Sequence, residues 1–543
     1  MPDLVYVTND PVCSVQAYTS NMIRLGLSAS NATGTSADGG QTFHVMSGIP
    51  TWMAAVGVVF IILVSHFLVG ARRETGGNRV GWRFNLLQAS WLKALVNRPW
   101  FPLAMQSLSL VLFLLVLSAG IFGNQKHNIA PVLTWTWWWV LLIFLVLGFG
   151  EAFCTVCPWE ALSSLVTSLS LKSRVKRLGF ERPWPKWARN MYPAIGLFIV
   201  LTWFELGNDV THSPQATALM GLAMLAMAVF AAIFFERRGF CRYGCLVGRI
   251  TGLYSLFSPV EVRSISTDTC VQCTTKDCYH GNAHSTGCPT GLFPGSFNEN
   301  SYCTMCTECV RACPHDNVAI NVRPFASDLL QKTRFRWDES ILAIVLLSLT
   351  SFHGLTMTPQ WTQFNHWLRA ETSLGPMPVF TGLMTLMLIA PILLFWLAAH
   401  LASSFTHDIS VAPAKIFKAF AYSLVPVALF YHLAHNCMHF FHEGQNLLPL
   451  MSDPFGWGWN LFGTAGVAYG PLLSLGSIWY LQIICIVIGH VFGVLVADRM
   501  ARTLYPDSEK AHRCLVPLLA TMVLYSSFSI WLIAQPMEMR SGM

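Results

Sequence analysis

Eight of the sixteen cysteines in this 543-residue chain fall in one stretch. They read Cys270-x2-Cys273-x4-Cys278-x9-Cys288-Pro289, then Cys303-x2-Cys306-x2-Cys309-x3-Cys313-Pro314. The second run has the spacing with which bacterial iron–sulfur proteins hold a [4Fe–4S] cluster. Such a cube needs a thiolate at each of its four iron corners. Three closely spaced cysteines wrap one face, and a fourth from elsewhere closes the cage. Where two clusters are bound, the cysteine before proline ligates the other one. The expected assignment is therefore crossed: Cys270, Cys273, Cys278 and Cys313 for one cluster, and Cys303, Cys306, Cys309 and Cys288 for the second. Structural zinc would use four ligands in two pairs, not eight in two crossed sets. The first run departs from regular spacing through residues 279–287, a longer loop that includes His280 and His284.

Two further thiol pairs each follow an apolar run. Cys154-Thr-Val-Cys157-Pro158 is one; Cys241-Arg-Tyr-Gly-Cys245, just after Arg237 and Arg238, is the other. Four thiolates from two helix ends could hold a further Fe–S cluster or bind copper as Cu(I), a soft-ligand ion. The plainer reading is four small residues packed at helix ends, since free cysteine is often simply buried.

The second half of the chain is rich in histidine. Within residues 431–443, His432, His435, His439 and His442 fall three, seven and ten residues apart, on one helical face. Ionisable residues within a membrane span are costly and mark function. The candidate roles are axial ligands of haem b, a copper site, or a proton path for quinol oxidation. His353 and His432 each lie roughly 20 Å from the inner ends of their expected spans, which makes them candidate axial partners. His490 lies lower, roughly 12 Å from Asp498. His439, His442 and Cys437 are expected at the outer surface, as a metal site or an exit toward a partner. His66 and His400 are expected to be hydrogen-bonded bundle residues.

Composition says what must position these groups. Hydrophobic residues make up 53% of the chain and charged residues 11%, where soluble domains run nearer one quarter charged. Much of the surface must therefore face lipid. A span needs about 20 apolar residues, and ten candidates appear: 50–70, 101–123, 131–152, 191–207, 216–236, 339–358, 377–402, 418–441, 473–497 and 514–535. With residues 71–98 placed in the cytoplasm, the inner segments carry 30 of the 34 Lys and Arg. Only Arg24, Lys126, Arg369 and Arg540 remain outside, as the positive-inside rule requires. The net charge of +7 is thus explained by membrane topology rather than by nucleic acid. The expected fold is an all-α polytopic bundle of about ten transmembrane helices. A short extracytoplasmic arm (1–49), with no charged region ahead of an apolar run, precedes a first half of five helices (50–236). A small α+β insert holding both clusters (237–338) and a second, histidine-rich half of five helices (339–543) follow. Both termini face the periplasm of a bacterial inner membrane. All twelve paired or clustered thiols then lie on the cytoplasmic side, where disulfides are disfavoured.

Over roughly residues 100–325 the sequence resembles the membrane-bound polyferredoxins. That group includes the quinol dehydrogenase subunit of periplasmic nitrate reductase, the maturation and electron-donor protein of nitrous oxide reductase, and the copper-reducing assembly factor of cytochrome oxidase. The shared features are membrane spans, two Cys-x2–3-Cys pairs at their cytoplasmic ends, and a following two-cluster ferredoxin-like insert. Family members usually carry Cys-x3-Cys-Pro twice; here the first pair is one residue shorter and Leu246 replaces the second proline. The resemblance implies a membrane electron-transfer protein, with quinone or quinol as the lipid-phase partner and a periplasmic redox protein or respiratory enzyme subunit beyond it. A quinol-dehydrogenase-type oxidoreductase subunit is the enzymatic form of that reading. The alternative is a metal-maturation factor that reduces copper for another enzyme.

Overall fold

The computed structural model describes residues 32–35, 42–71, 81–98, 100–168, 179–236, 238–282 and 285–540. Most of the expected 1–49 arm, together with Arg237 and His284, lies outside them.

The long helices are α1 (Thr51–Ala71), α2 (Trp100–Phe122), α3 (Trp139–Phe149), α4 (Phe153–Val156), α5 (Pro158–Ser168), α6 (Tyr192–Gly207) and α7 (Pro214–Phe234) before the cysteine-rich segment. Helix α8 (Leu246–Tyr254) leads into that segment. Beyond it come α9 (Trp337–Thr356), α10 (Pro376–Thr406), α11 (Pro413–Ala421), α12 (Leu424–Glu443), α13 (Leu475–Leu504) and α14 (Ser508–Ile533). Among the described residues nine helical runs are long and apolar enough to cross a bilayer. The tenth expected span, 191–207, is α6, a helix of 16 residues and so about 24 Å long. Pro193 opens it, and Asp209, at φ +50°, turns the chain just after its end.

Burial sorts these helices. α9 and α12 are buried around most of their circumference, polar residues included, and lie at the centre of the bundle; α1, α2 and α10 turn broad apolar faces outward. α11 and α12, expected as one rod over 418–441, are two helices joined at Tyr422–Ser423. That break moves the foot of α12 up to Leu424.

Two small sheets complete the fold. Strands β1 (Ala32–Thr35), β2 (Thr42–Met46) and β6 (Met537–Arg540) form one, with β2 antiparallel to β6 from Phe43↔Arg540 to Met46↔Met537. The chain thus leaves and returns on one side of the bundle, so it crosses an even number of times between Met46 and Met537. Nine is an odd number, and among the described residues α6 is a further, shorter apolar helix. In the second sheet β4 (Val260–Ser264) pairs antiparallel with β5 (Val318–Val322), from Val260↔Val322 to Ser264↔Val318, and all eight clustered cysteines lie between these strands. β3 (Phe84–Asn85) caps the free edge of β5, and Leu87 and Val96 fill the same apolar core as Val262, Val310 and Val318. The loop 81–98 is therefore part of the insert. An uncovered edge strand would otherwise expose its backbone donors and acceptors.

Candidate functional site

The fold gathers twelve cysteines into three sets of four along one surface. In the first set, Cys270 ends the buried side of helix Thr267–Gln272 and Cys278 lies in the short helix Asp277–His280. Asn317 joins two members: its side-chain amide donates to Cys270 Sγ (3.3 Å) and its backbone N–H to Cys313 Sγ (3.3 Å). The Lys276 N–H donates to Cys273 Sγ (3.4 Å), and that bond holds the half-buried Cys273 thiol below its usual range. Cys278 is different. Burial, reinforced by Cys313, Cys270 and Cys273, pushes its thiol up to about 11. Gly295 lets the chain close over this set, since a Cβ there would stand 2.6 Å from that of Cys270.

In the second set, Cys288, Cys303, Cys306 and Cys309 line one cavity together with Met305 and Phe297. The Leu292 N–H donates to Cys288 Sγ (3.2 Å). Burial pushes the Cys303 thiol up to about 12, with Cys306 and Cys288 adding to the rise; Cys309 is raised well above its usual range by burial and by Cys306, Cys303, Cys288 and Cys278. The reach of Cys278 to Cys309 makes the two sets neighbours. Four thiolates crowded out of water repel one another and can all carry charge only with cations between them. Among the described residues no three His, Cys, Asp or Glu side chains converge as ligands of a single ion do.

The third set is built from the two pairs. Cys154, Cys157, Cys241 and Cys245 lie within electrostatic reach of one another. Cys157 and Cys245 stand immediately before α5 and α8, and backbone N–H groups of the first helical turns (Trp159 and Glu160; Val247 and Gly248) reach the two sulfurs. Cys241 sits in a π-helical segment, Phe240–Gly244, of the kind that recurs at functional sites. Each leading cysteine meets a carboxylate. Cys154 Sγ donates to Glu151 Oε1 (3.5 Å) and Cys241 Sγ to Glu160 Oε2 (3.4 Å). Each carboxylate in turn meets an arginine, Glu151 with Arg249 at 3.0 Å and Glu160 with Arg238 at 2.6 Å. Sequence reasoning passed over these four charged residues, although Glu151 inside an apolar span was a visible signal. The second and third sets touch: the Thr155 hydroxyl donates to the Thr304 carbonyl (2.7 Å), and Arg238 feels both Cys306 and Cys241.

The histidines lie deeper in the bundle. His432 packs its ring against Trp139 (5.7 Å between centroids), and its Nδ1 lies 3.5 Å from the Tyr254 hydroxyl at the end of α8. His353 meets His435, not His432, at 5.0 Å between centroids, and His435 meets His439 at 5.1 Å. The contact is therefore one helical turn along α12 from the expected partner of His353. His439 Nδ1 lies 3.4 Å from Glu443 Oε2. A cavity of about 1780 Å³ is lined by His353, His432, His435 and His439; His442 and His490 are not among its lining residues. His490 has both ring nitrogens on hydroxyls, of Ser65 (2.7 Å) and Ser526 (2.8 Å). Cys437, expected at the outer surface, is buried against Cys485, whereas His66 and His400 are exposed on the bundle's flank.

A polytopic helical membrane protein with thiol quartets banked on one surface is the class that fold and site define. Over 200 residues the chain is 26% identical to YccM of Escherichia coli (strain K12), a protein whose name proposes electron transport for it. The alignment takes in 32% of this chain and 52% of YccM, about half of that relative's length. No family model and no solved structure matches the chain.

Proposed function

We propose that the protein is a membrane electron carrier. Two [4Fe–4S] clusters on the cytoplasmic side, in a ferredoxin-like insert, would exchange electrons with quinone or quinol in the bilayer and with a periplasmic redox protein or respiratory enzyme subunit. The observation that carries this reading is the sorting of eight cysteines into the crossed quartets their spacing requires, with a third quartet hydrogen-bonded alongside.

Bound cubes would supply one-electron chemistry with little change of geometry. The chain's own residues do the rest. N–H donors from Asn317, Lys276 and Leu292 stabilise negative charge on sulfur. The Thr155–Thr304 bond fixes the second quartet against the third, and the Glu–Arg pairs compensate charge around the third, where a further Fe–S cluster or copper is the candidate occupant. From Cys245, α8 runs to Tyr254 and its contact with His432, so the thiol surface connects to the large cavity. That link matters, because a hydrocarbon core of about 30 Å separates the two faces.

The test is an anaerobic preparation of the full chain. Acid-labile sulfide sufficient for two cubes is expected, and Cys306→Ser should abolish one reduced-cluster EPR signal while leaving the other. Unchanged iron and sulfide in that variant would sink the ligand assignment. Stoichiometric Cu(I) at Cys154, Cys157, Cys241 and Cys245, with no cluster reduction by quinol, would transfer the protein to copper maturation.

A further inference from the structure

We propose that the large cavity is a haem site, with His353 and His435 as axial ligands and with Lys126 and Arg369 as the cations available to the haem carboxylates. The proposal deepens the electron-carrier reading and rests on it.

Four observations meet in one place. The two imidazoles come from different helices, α9 and α12, and face each other at 5.0 Å between centroids. With metal–nitrogen bonds of about 2.0 Å, rings on opposite faces of one iron stand roughly 6 Å apart, so they need part by only about 1 Å. His435 is 2% exposed, and its Nε2 finds no hydrogen-bond partner among the described residues. An imidazole nitrogen left bare in the interior is costly unless something bonds to it. The cavity beside the pair, at about 1780 Å³, exceeds the 300–1,000 Å³ of an ordinary ligand pocket, and Trp137, Trp138 and Trp139 contribute aromatic surface to its lining. Finally, Lys126 and Arg369 are among its lining residues, alongside the carboxylates Glu205, Asp209 and Glu443, and they are two of only four Lys or Arg outside the basic segments of the chain. A neutral quinone would use neither cation and would not need a second imidazole. A dicarboxylate macrocycle uses both. No cysteine pair is followed by histidine, so covalent c-type attachment is ruled out by sequence and the haem would be of b type.

His432 lies one turn from His435 toward the thiol surface, in contact with Trp139 and Tyr254. It is a positioning residue on the route rather than a ligand. The step is a single electron transfer: a reduced cluster loses one electron and ferric haem becomes ferrous, with no bond or proton changing hands, and the reverse holds equally.

The experiment uses full-length protein made in haem-replete cells. Haem equimolar with the chain is expected by pyridine haemochrome, with a low-spin bis-imidazole EPR signal. His435→Ala and His353→Ala should each lose the haem and keep their iron and acid-labile sulfide, whereas His490→Ala should retain haem. His435→Gly should regain the spectrum when imidazole is added, which separates ligand loss from misfolding. Full sulfide with no haem in the unaltered protein, or extractable quinone in its place, overturns the proposal. So does full haem in the His353→Ala/His435→Ala double variant. Haem present without sulfide would support this site while sinking the cluster reading.

Discussion

A sulfur atom that accepts a hydrogen bond holds negative charge more readily, and the quartets differ in which donors they receive. Asn317 serves the first quartet through both of its N–H groups. Asn317→Ala removes the side-chain donor to Cys270, so the potential of the first cluster should fall while that of the second stays put. Redox titration followed by EPR would read this, and equal shifts in both would refute the local assignment. The Glu151–Arg249 pair is fully enclosed, with neither side chain exposed, and Arg249 also donates to the Ser301 carbonyl (2.9 Å). Removing one partner of such a pair strands a buried charge. Arg249→Met alone should cost about 3–5 kcal/mol, and adding Glu151→Leu should recover most of it. Thermal unfolding of the three variants in detergent is the measurement; equal losses in single and double variants would show that the pair is not the cause.

Elements meet here through close backbone contact. A Cβ at Gly252 of α8 would stand 2.4 Å from the Ser301 carbonyl, and one at Gly489 of α13 would stand 2.6 Å from the Phe430 Cβ on α12. Gly489→Ala should destabilise the bundle by about 1–3 kcal/mol through overpacking, visible as a lower Tm with cluster content unchanged. Gly252→Ala should act locally instead. It pushes the loop that carries Cys303 and Cys306 away from α8, so the second cluster should be lost first on exposure to air. If the first cluster is lost sooner, the contact between α8 and that loop is not what protects the second.

At the scale of the whole molecule, the β2–β6 pairing and the even number of crossings predict that reporters fused near residue 46 and at the C-terminus report one compartment. A reporter at residue 330 should report the other. Opposite results for the two terminal fusions would remove α6 as a crossing. On the proposed cluster assignment, metal binding would supply folding free energy to a small ligand-rich segment, so stripping the iron should open residues 265–316 to protease while the helical CD of the bundle is retained. Lys332, which bonds Glu299 and Glu339 (2.5 and 3.0 Å), ties the insert to α9 and should keep its far edge anchored.

The linear chain by itself determined the apolar runs that become the long helices, because hydropathy is a local property. Only the tertiary structure decided what the thiols and histidines touch. The carboxylate–arginine pairs behind Cys154 and Cys241, the capping of the insert by residues 84–97, and the pairing of His353 with His435 rather than His432 all join residues far apart in sequence. Hydropathy registers how far an apolar run extends, but not which turns of α9 and α12 pack against each other, and that packing sets His353 beside His435.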